Sequence, residues 1–141
     1  MAYPPLVRYA SEQEYRRHFI EKYCKRQIIT FDDIPVRFNN KDFAHAFYES
    51  GSNLKNNLFS VVRAQRIDWI EVALLDANAE LYYGWDADKK RVDTTRRVAL
   101  VKKNYIVIIQ IMKSGKARFI TAFVANNYRT LLKIKQSPKW Q

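Results

Sequence analysis

Cysteine, glycine and histidine are scarce in this chain of 141 residues, and each shortage excludes a kind of site. The single cysteine, Cys24, cannot form an internal disulfide, so the sequence does not call for an oxidising compartment. The three glycines, at positions 51, 84 and 115, lie too far apart to build a glycine-rich phosphate loop. His18, His45 and the cysteine lack the spacing of a zinc site. We therefore expect neither a metal ion nor another cofactor.

Long apolar segments are also missing. The longest run, Tyr105 to Met112, is interrupted by Gln110 and is too short to cross a bilayer. The N-terminus lacks the charged and then apolar order of a signal peptide. We expect no membrane partner and a cytoplasmic location, with residues 1–141 folded as a single domain around one core.

Acidic residues are absent from the last third of the chain. All 14 acids lie in residues 1–93, whereas residues 94–141 contain eleven lysines and arginines and no acid, which accounts for the net charge of +11. A surface that only needs solubility mixes both signs, so this segregation predicts a positively charged region. Nucleic acid is the commonest partner for such a region, and a surface without a partner or one facing an acidic protein is the alternative.

The first half of the chain predicts an arm followed by helices. Residues 1–10 contain Pro4-Pro5 and form an extended arm, and residues 11–75 form a mainly helical part. A capping box begins at Ser11 and opens a helix that runs to about Lys25. The other predicted elements are short extended stretches at 27–31 and 36–38, a helix from Asn40 through Glu49 ending near Gly51, a polar loop from Ser52 to Asn57, and a longer helix from about Ser60 to Leu75.

The second half predicts strands, because β-branched and aromatic residues dominate it. The predicted strands are Glu80 to Trp85, Arg91 to Val101, Asn104 to Met112 and Lys116 to Val124. Short connections make an antiparallel meander of roughly four strands over residues 79–124, and residues 127–141 form a short C-terminal helix and a tail. The expected fold class is α+β, with N-terminal helices packed on this sheet.

Two arginines fall inside the apolar arc of the predicted helix from Ser60 to Leu75. At 100° per residue, Arg63 and Arg66 lie on the side of Val62 and Ile70 instead of the polar side. Arginines on an inward face must be paired or must look into a cleft, where an anion would meet both guanidinium groups. Alternatively, their stems pack while their charged ends reach solvent or Asp32 and Asp33.

His45 is a candidate proton carrier. It lies opposite the buried side of its predicted helix, and Glu49 at i+4 would hydrogen-bond the imidazole and favour its protonated form. Such a histidine transfers protons near neutral pH, although an exposed helical histidine is also ordinary. His18, among charged neighbours, is expected on a solvated helix face.

Thr121 is the third candidate. Strand alternation places it on the face of Phe119 and Phe123, with Arg118 facing the other way. A hydroxyl among large aromatic side chains needs a partner, which is either backbone or a ligand.

Taken in order, four strings resemble the phage-associated nucleases of the barnase–EndoU–colicin–RelE-like superfamily. The resemblance covers roughly residues 28–140 and is one of pattern. It rests on Val36-Arg37-Phe38 with Phe43 to Phe47, on Arg63 to Ile70, on Tyr83-Gly84-Trp85-Asp86, and on Phe119 to Phe123. It implies helices packed on a four-stranded antiparallel sheet that binds RNA. It also implies metal-independent cleavage by attack of the ribose 2′-hydroxyl on the adjacent phosphate.

The resemblance also implies roles for particular residues. His45 matches the helical histidine and would be the general base or acid, and Arg63 and Arg66 match an arginine pair that would stabilise charge on the phosphate. Thr121 matches a late-strand hydroxyl that would bond a phosphate oxygen. A second proton carrier stays open among Tyr105, Lys113 and Glu49. The residues expected to bind the substrate are Tyr105, Lys113, Arg118 and Arg97.

The sequence therefore predicts an endoribonuclease, a phage-encoded or toxin-like effector that acts on RNA, with tRNA or another nucleic acid left open as its substrate. An acidic inhibitor or immunity protein covering the basic cleft is the expected protein partner. The alternative is a non-catalytic nucleic-acid-binding module or virion accessory protein that uses the same basic surface.

Overall fold

The first helix begins where the capping box predicts it. Helix α1 spans Glu12–Phe19, and the Ser11 side chain accepts the backbone N–H of Glu14. The chain continues directly into a π-helical turn over Ile20–Cys24. Tyr15, Phe19 and Tyr23, spaced four apart, are all buried, so this stripe faces the core as predicted.

The computed structural model describes residues 2–50 and 56–141, and the side chains at positions 50, 56 and 57 are not described. The helix end predicted at Gly51 and most of the loop predicted from Ser52 to Asn57 lie outside the described residues. The elements after α1 in the first half are β1 (Ile28–Ile29), β2 (Pro35–Arg37), α2 (Asp42–Phe47), β3 (Tyr48–Ser50), β4 (Asn56–Phe59), α3 (Val61–Ala64) and α4 (Trp69–Leu75). Those of the second half are β5 (Glu80–Asp86), β6 (Arg91–Val101), β7 (Tyr105–Ile111), β8 (Ala117–Val124) and α5 (Tyr128–Gln136).

The expectation of a four-stranded antiparallel sheet is wrong, although the α+β class holds. The sheet has six strands in the order β1-β2-β8-β7-β6-β5, and β2 runs parallel to β8. Strands β3 and β4 form a separate pair. The two additional strands of the main sheet contain only two and three residues, too few to show a strand period in the sequence. They join the sheet because Ile28 and Val36 bury their side chains in the core.

Alternate residues of the central strands fill two cores on opposite faces of the sheet. Tyr105, Val107 and Ile109 pack in the larger core, which also contains buried side chains of α1, α2 and α4. Ile106 and Ile108 pack in the smaller core, which the helix α5 covers. The residues of the smaller core are Tyr82, Val98, Leu100, Ile106 and Ala125, with Ile108, Phe123, Leu131 and Ile134 against them.

The single helix predicted from Ser60 to Leu75 is wrong, because the chain turns over residues 65–68 and separates α3 from α4. Buried tyrosine hydroxyls bind backbone carbonyls at this turn. Tyr23 Oη donates to the carbonyl of Ile67 at 2.6 Å, and Tyr105 Oη reaches that of Arg66 at 3.4 Å. These tertiary contacts hold the two carbonyls out of the continuous series of backbone hydrogen bonds that an unbroken α-helix would have. As a result, Arg63 and Arg66 do not share a helix face.

The C-terminal tail covers the outer edge of the sheet. The backbone of Tyr83 donates to the carbonyl of Pro138 at 3.0 Å, and Trp140 donates to that of Leu81 at 2.9 Å. Ser137 Oγ also donates to the Tyr83 carbonyl at 2.7 Å. The tail therefore occupies hydrogen-bonding groups of β5 that an open edge would expose.

Candidate active site

A cleft of about 520 Å³ opens where the edge of β8 is left unpaired by β2. Strand β2 pairs with β8 at only two positions, Ala117 and Arg118, and helix α2 runs beside the rest of the edge. Thr121 Oγ1 donates to the carbonyl oxygen of His45 at 2.7 Å and fixes the end of α2 against the strand. We call this space the arginine cleft, because Arg63, Arg96 and Arg118 all line it.

A bulge in β8 determines which side chains face the arginine cleft. Thr121 pairs with Ile108 while Phe119 pairs with Ile109, so Ile120 is an extra residue and the alternation of β8 reverses. Phe119 therefore points into the larger core, whereas Phe123 packs with the smaller core on the opposite face. The expectation that Thr121 shares the face of Phe119 is wrong. The bulge brings Thr121 to the face of Arg118, and both line the cleft.

Two of the three arginines stand in a row across the sheet. Arg96 in β6 pairs with Gln110 in β7, which pairs with Arg118 in β8. The Arg118 guanidinium donates twice to Gln110 Oε1, at 3.1 and 2.7 Å. Arg96 Nε lies 3.6 Å from Asp93 Oδ2, and it is the one buried side-chain nitrogen or oxygen of the described residues with no hydrogen-bond partner. Neither positive charge is neutralised by a hydrogen-bonded carboxylate.

Arg63 faces this row from α3. Its Nη1 donates to the carbonyl of Tyr48 at 2.9 Å, and its Cζ lies 5.5 Å from the centre of the Phe123 ring. The nearest carboxylate oxygen, Glu49 Oε2, is 3.6 Å from Nε. Burial lowers the pKa of Arg63 and Glu49 opposes the shift, but a guanidinium remains charged at neutral pH. Arg63 is thus held in place with its charge available to a ligand.

His45 lies beside Asp42 and not beside Glu49, which corrects the sequence prediction. Helix α2 ends at Phe47, so Glu49 belongs to β3 and does not lie one helical turn after His45. His45 Nδ1 lies 3.4 Å from Asp42 Oδ1, one helical turn earlier. The Asp42 carboxylate is buried, and its other oxygen accepts the backbone N–H of Asn39 at 2.9 Å. A buried carboxylate thus lies beside Nδ1 of an imidazole whose side chain is 59% exposed.

Five of the nine site residues predicted from the sequence line the arginine cleft: His45, Glu49, Arg63, Thr121 and Arg118. The other four lie outside its lining. Arg66, in the turn before α4, donates to the carbonyl of Val62 at 2.7 Å and stacks near Trp69. Tyr105 is buried in the larger core, and this burial raises its pKa. Arg97 is buried against Asp32, and Lys113 is exposed in the turn between β7 and β8.

Sequence reasoning missed Arg96 and Asp42 as cleft residues. Arg96 precedes Arg97 in β6, and neighbours in a strand face opposite sides, so only one of them can enter the cleft. The sequence alone does not show which of the two arginines enters the cleft. Asp42 stands three residues before His45 on the same helix, a spacing that places two side chains side by side and was available as a signal.

His18 is not on a solvated face as expected but belongs to a second polar cluster. Its Nδ1 lies 2.8 Å from Tyr9 Oη and its Nε2 lies 2.7 Å from Asp68 Oδ1. Lys22 Nζ donates to the same carboxylate oxygen at 2.9 Å. These contacts lower the pKa of Asp68 to about 2 and tie the N-terminal arm and α1 to the turn before α4.

Comparisons with protein-family models, with curated proteins and with solved structures each returned no match. Over residues 2–50 and 56–141, no three histidine, cysteine or acidic side chains are grouped as a metal ion would require. No helix within the same residues has the length and apolar character needed to cross a membrane.

Proposed function

We propose that the protein is an endoribonuclease that cleaves RNA in the arginine cleft without a metal ion. The 2′-oxygen forms a bond to the adjacent phosphorus and the bond to the 5′-oxygen breaks, which leaves a 2′,3′-cyclic phosphate and a 5′-hydroxyl. The proposal rests on one observation: His45, Arg63, Arg96 and Arg118, from four separate segments, line one cleft.

The arginines account for binding and for stabilisation of charge. A phosphodiester in this reaction passes through a state with additional negative charge on its non-bridging oxygens, and preorganised guanidinium groups favour that state. Arg63 is held by the Tyr48 carbonyl and Arg118 by Gln110, so neither has to reorganise when the substrate binds. Arg96 brings a third charge from the row that it forms with Arg118. An anion placed among them would meet the donors of three guanidinium groups.

His45 is the general base in this scheme. Neutral imidazole removes the proton from the 2′-hydroxyl as the 2′-oxygen attacks phosphorus, and the Asp42 carboxylate stabilises the imidazolium that results. Water supplies the proton taken by the departing 5′-oxygen, and the hydroxide that this leaves takes the proton from the His45 imidazolium. His45 thereby returns to its neutral form, and no other side chain is needed.

Thr121 has a positioning role in this proposal. Its hydroxyl has a single proton, and that proton is already donated to the His45 carbonyl. The contact fixes the last turn of α2, and with it the place of the imidazole, relative to Arg118 on the same strand. The hydroxyl oxygen can still accept a hydrogen bond.

The test is cleavage of a single-stranded RNA in EDTA by the purified protein and by four variants. We expect cyclic phosphate and 5′-hydroxyl ends and no cleavage where the 2′-hydroxyl is replaced by hydrogen. His45→Gln should lower the rate by about 100- to 10,000-fold. Arg63→Gln and Arg118→Gln should each lower it by about 100-fold. Arg129→Gln removes an exposed arginine from α5 outside the cleft and is the matched control.

Three results would contradict the mechanism: equal rates for the wild type and His45→Gln, cleavage only after Mg²⁺ is added, or cleavage of the 2′-deoxy substrate. Tight, salt-sensitive RNA binding without any scission would favour the non-catalytic binding module.

A further inference from the structure

A second cavity, of about 260 Å³, lies between the sheet and α5 and ends at an exposed indole. Trp85 at the end of β5 is 56% exposed, although it stands beside Gly84, which is buried. We call this cavity the tryptophan groove. Its lining includes Gly84, Trp85, Arg96, Phe123, Lys133 and Ile134.

The tryptophan groove adjoins the arginine cleft. Arg96 and Phe123 line both spaces, so the two cavities share a wall. A strand of nucleic acid with one phosphate at Arg96 would therefore place an adjoining nucleotide in the groove. Gly84 contributes to this connection, because a Cβ there would lie only 2.6 Å from the Cβ of Arg96.

The lining of the groove matches a nucleobase better than it matches a phosphate. Its exposed surface is mostly apolar, from Trp85, Val98, Ile108 and Ile134, while the cations Arg96 and Lys133 lie at its borders. An exposed indole beside a positive charge is the arrangement on which a base stacks while its phosphate is neutralised. A base can enter only when it is unstacked from a duplex, so the geometry selects single strands.

We propose that the tryptophan groove binds one nucleobase of single-stranded RNA, next to the phosphate in the arginine cleft, by stacking on Trp85. The inference takes RNA as the substrate from the proposed function. It adds that the bound RNA is single-stranded and that one of its bases occupies the tryptophan groove. Arg96 links the two sites, since it lines both the arginine cleft and the tryptophan groove.

The test uses two probes that a 2′-hydroxyl mechanism cannot cleave: a thymidine hexadeoxynucleotide, and an abasic hexamer with the same number of phosphates. Binding is followed by tryptophan fluorescence and by competition against a labelled strand. We expect the thymidine hexamer to bind roughly tenfold more tightly than the abasic one, within the range that one base–aromatic stack provides. Only the thymidine hexamer should quench Trp85 emission.

Trp85→Ala should abolish the preference for the base-bearing probe, and Trp85→Phe should retain part of it without the quenching. Tyr128→Ala, which removes another strongly exposed aromatic residue outside the groove, should keep both. Equal affinity of the wild type for the two probes, or an unchanged preference in Trp85→Ala, would overturn the inference. Urea midpoints verify folding, and if Trp85→Ala fails to fold, the quenching in the wild type and its absence in Trp85→Phe decide.

The two proposals fail separately. Base-dependent quenching in a protein that leaves RNA intact would keep the base subsite and reject the endoribonuclease. Cleavage of RNA by a protein that binds both probes equally would reject the subsite and keep the enzyme.

Discussion

Replacing Asp32 by asparagine should destabilise the fold more than replacing its partner Arg97 by methionine. The Arg97 side chain is 2% exposed and its Nη1 donates to Asp32 Oδ2 at 2.7 Å. The guanidinium carbon also lies 5.4 Å from the Phe31 ring and 5.9 Å from the Trp140 ring. Asp32 is 33% exposed and accepts a second hydrogen bond from Thr30 Oγ1. Water can therefore solvate Asp32 when Arg97 is removed, but it cannot solvate the buried Arg97 guanidinium when the charge of Asp32 is removed.

The magnitude follows from the charge that each variant leaves behind. Asp32→Asn leaves a buried guanidinium without its counter-charge, a change that costs about 3–5 kcal/mol when both partners are buried. Because Asp32 is partly hydrated and asparagine still accepts one hydrogen bond, we expect about 2–3 kcal/mol here. Arg97→Met leaves a carboxylate that water reaches and keeps most of the buried stem, so we expect about 1 kcal/mol.

Urea denaturation at neutral pH measures these costs, and the double variant completes a thermodynamic cycle. Once Arg97 is gone, losing the Asp32 charge should matter little, so the double variant should cost about 2 kcal/mol less than the sum of the single changes. A larger cost for Arg97→Met than for Asp32→Asn, or additive costs, would refute the reasoning and assign the role of Arg97 to packing.

The pair of Asp32 and Arg97 also determines how the stability of the fold changes at acid pH. Burial raises the pKa of Asp32, but hydrogen bonds from Thr30 and Arg97 and the charge of Arg97 outweigh it, so the net shift is downward. A carboxylate with a lowered pKa contributes stability that is present above its unfolded pKa, about 3.9, and is lost as pH falls through the folded value. Asp32→Asn should therefore unfold with less dependence on pH below about 4 than the wild type.

Two further predictions concern the polar cluster and the arginine row. The wild type should lose stability between about pH 4 and 2, because the hydrogen bond with His18 above all lowers the pKa of Asp68 to about 2. Asp68→Asn should reduce this loss, measured by circular dichroism. An unchanged loss of stability in the variant over this pH range would contradict the prediction. Gly84→Ala should displace Arg96 and lower the affinity for the abasic hexamer by about tenfold. Gly115→Ala is the control: its φ of +87° strains an alanine, but its Cβ would contact nothing, so it should lower stability only. Equal affinities of the two variants for the abasic hexamer would contradict the placement of Arg96.

Long segments with one period were predictable from the sequence. Strand β6 spans Arg91–Val101 as predicted, and β7 and β8 differ from their predictions only at the ends. The capping residue Ser11 also opens its helix as expected, since its side chain accepts a backbone N–H of the first turn. In these segments local preference and tertiary packing act in the same direction.

The errors occurred where a tertiary contact overrides a local pattern. Residues 60–75 have helical periodicity throughout, yet the buried hydroxyls of Tyr23 and Tyr105 bind carbonyls in the middle of this segment. Neither tyrosine lies near the segment in sequence. Likewise, the short strand β2 pairs with β8 across about 80 positions of the chain, and no local pattern encodes a parallel pairing of that kind.

The bulge at Ile120 had the largest effect on the candidate site. Without this extra residue, strict alternation would place Thr121 under the larger core with Phe119 and would separate it from Arg118. One inserted residue thus decides which side chains the strand offers to the cleft. A register of this kind depends on the partner strand, so periodicity within β8 alone cannot reveal it.

The acid-free composition of the last third predicted a cationic region, and the structure shows why the cleft keeps its charge. Arg96 and Arg118 come from that third, while the nearby carboxylates come from earlier segments. The closest of these, Glu49 and Asp93, lie 3.6 Å from Arg63 and Arg96. Asp42 accepts the N–H of Asn39, and Asp93 accepts the N–H and hydroxyl of Thr95, which lower its pKa. Among the described residues, no carboxylate comes closer than 3.6 Å to a cleft guanidinium. An incoming phosphate therefore has no hydrogen-bonded ion pair to break, so its binding should be favourable and strongly dependent on salt.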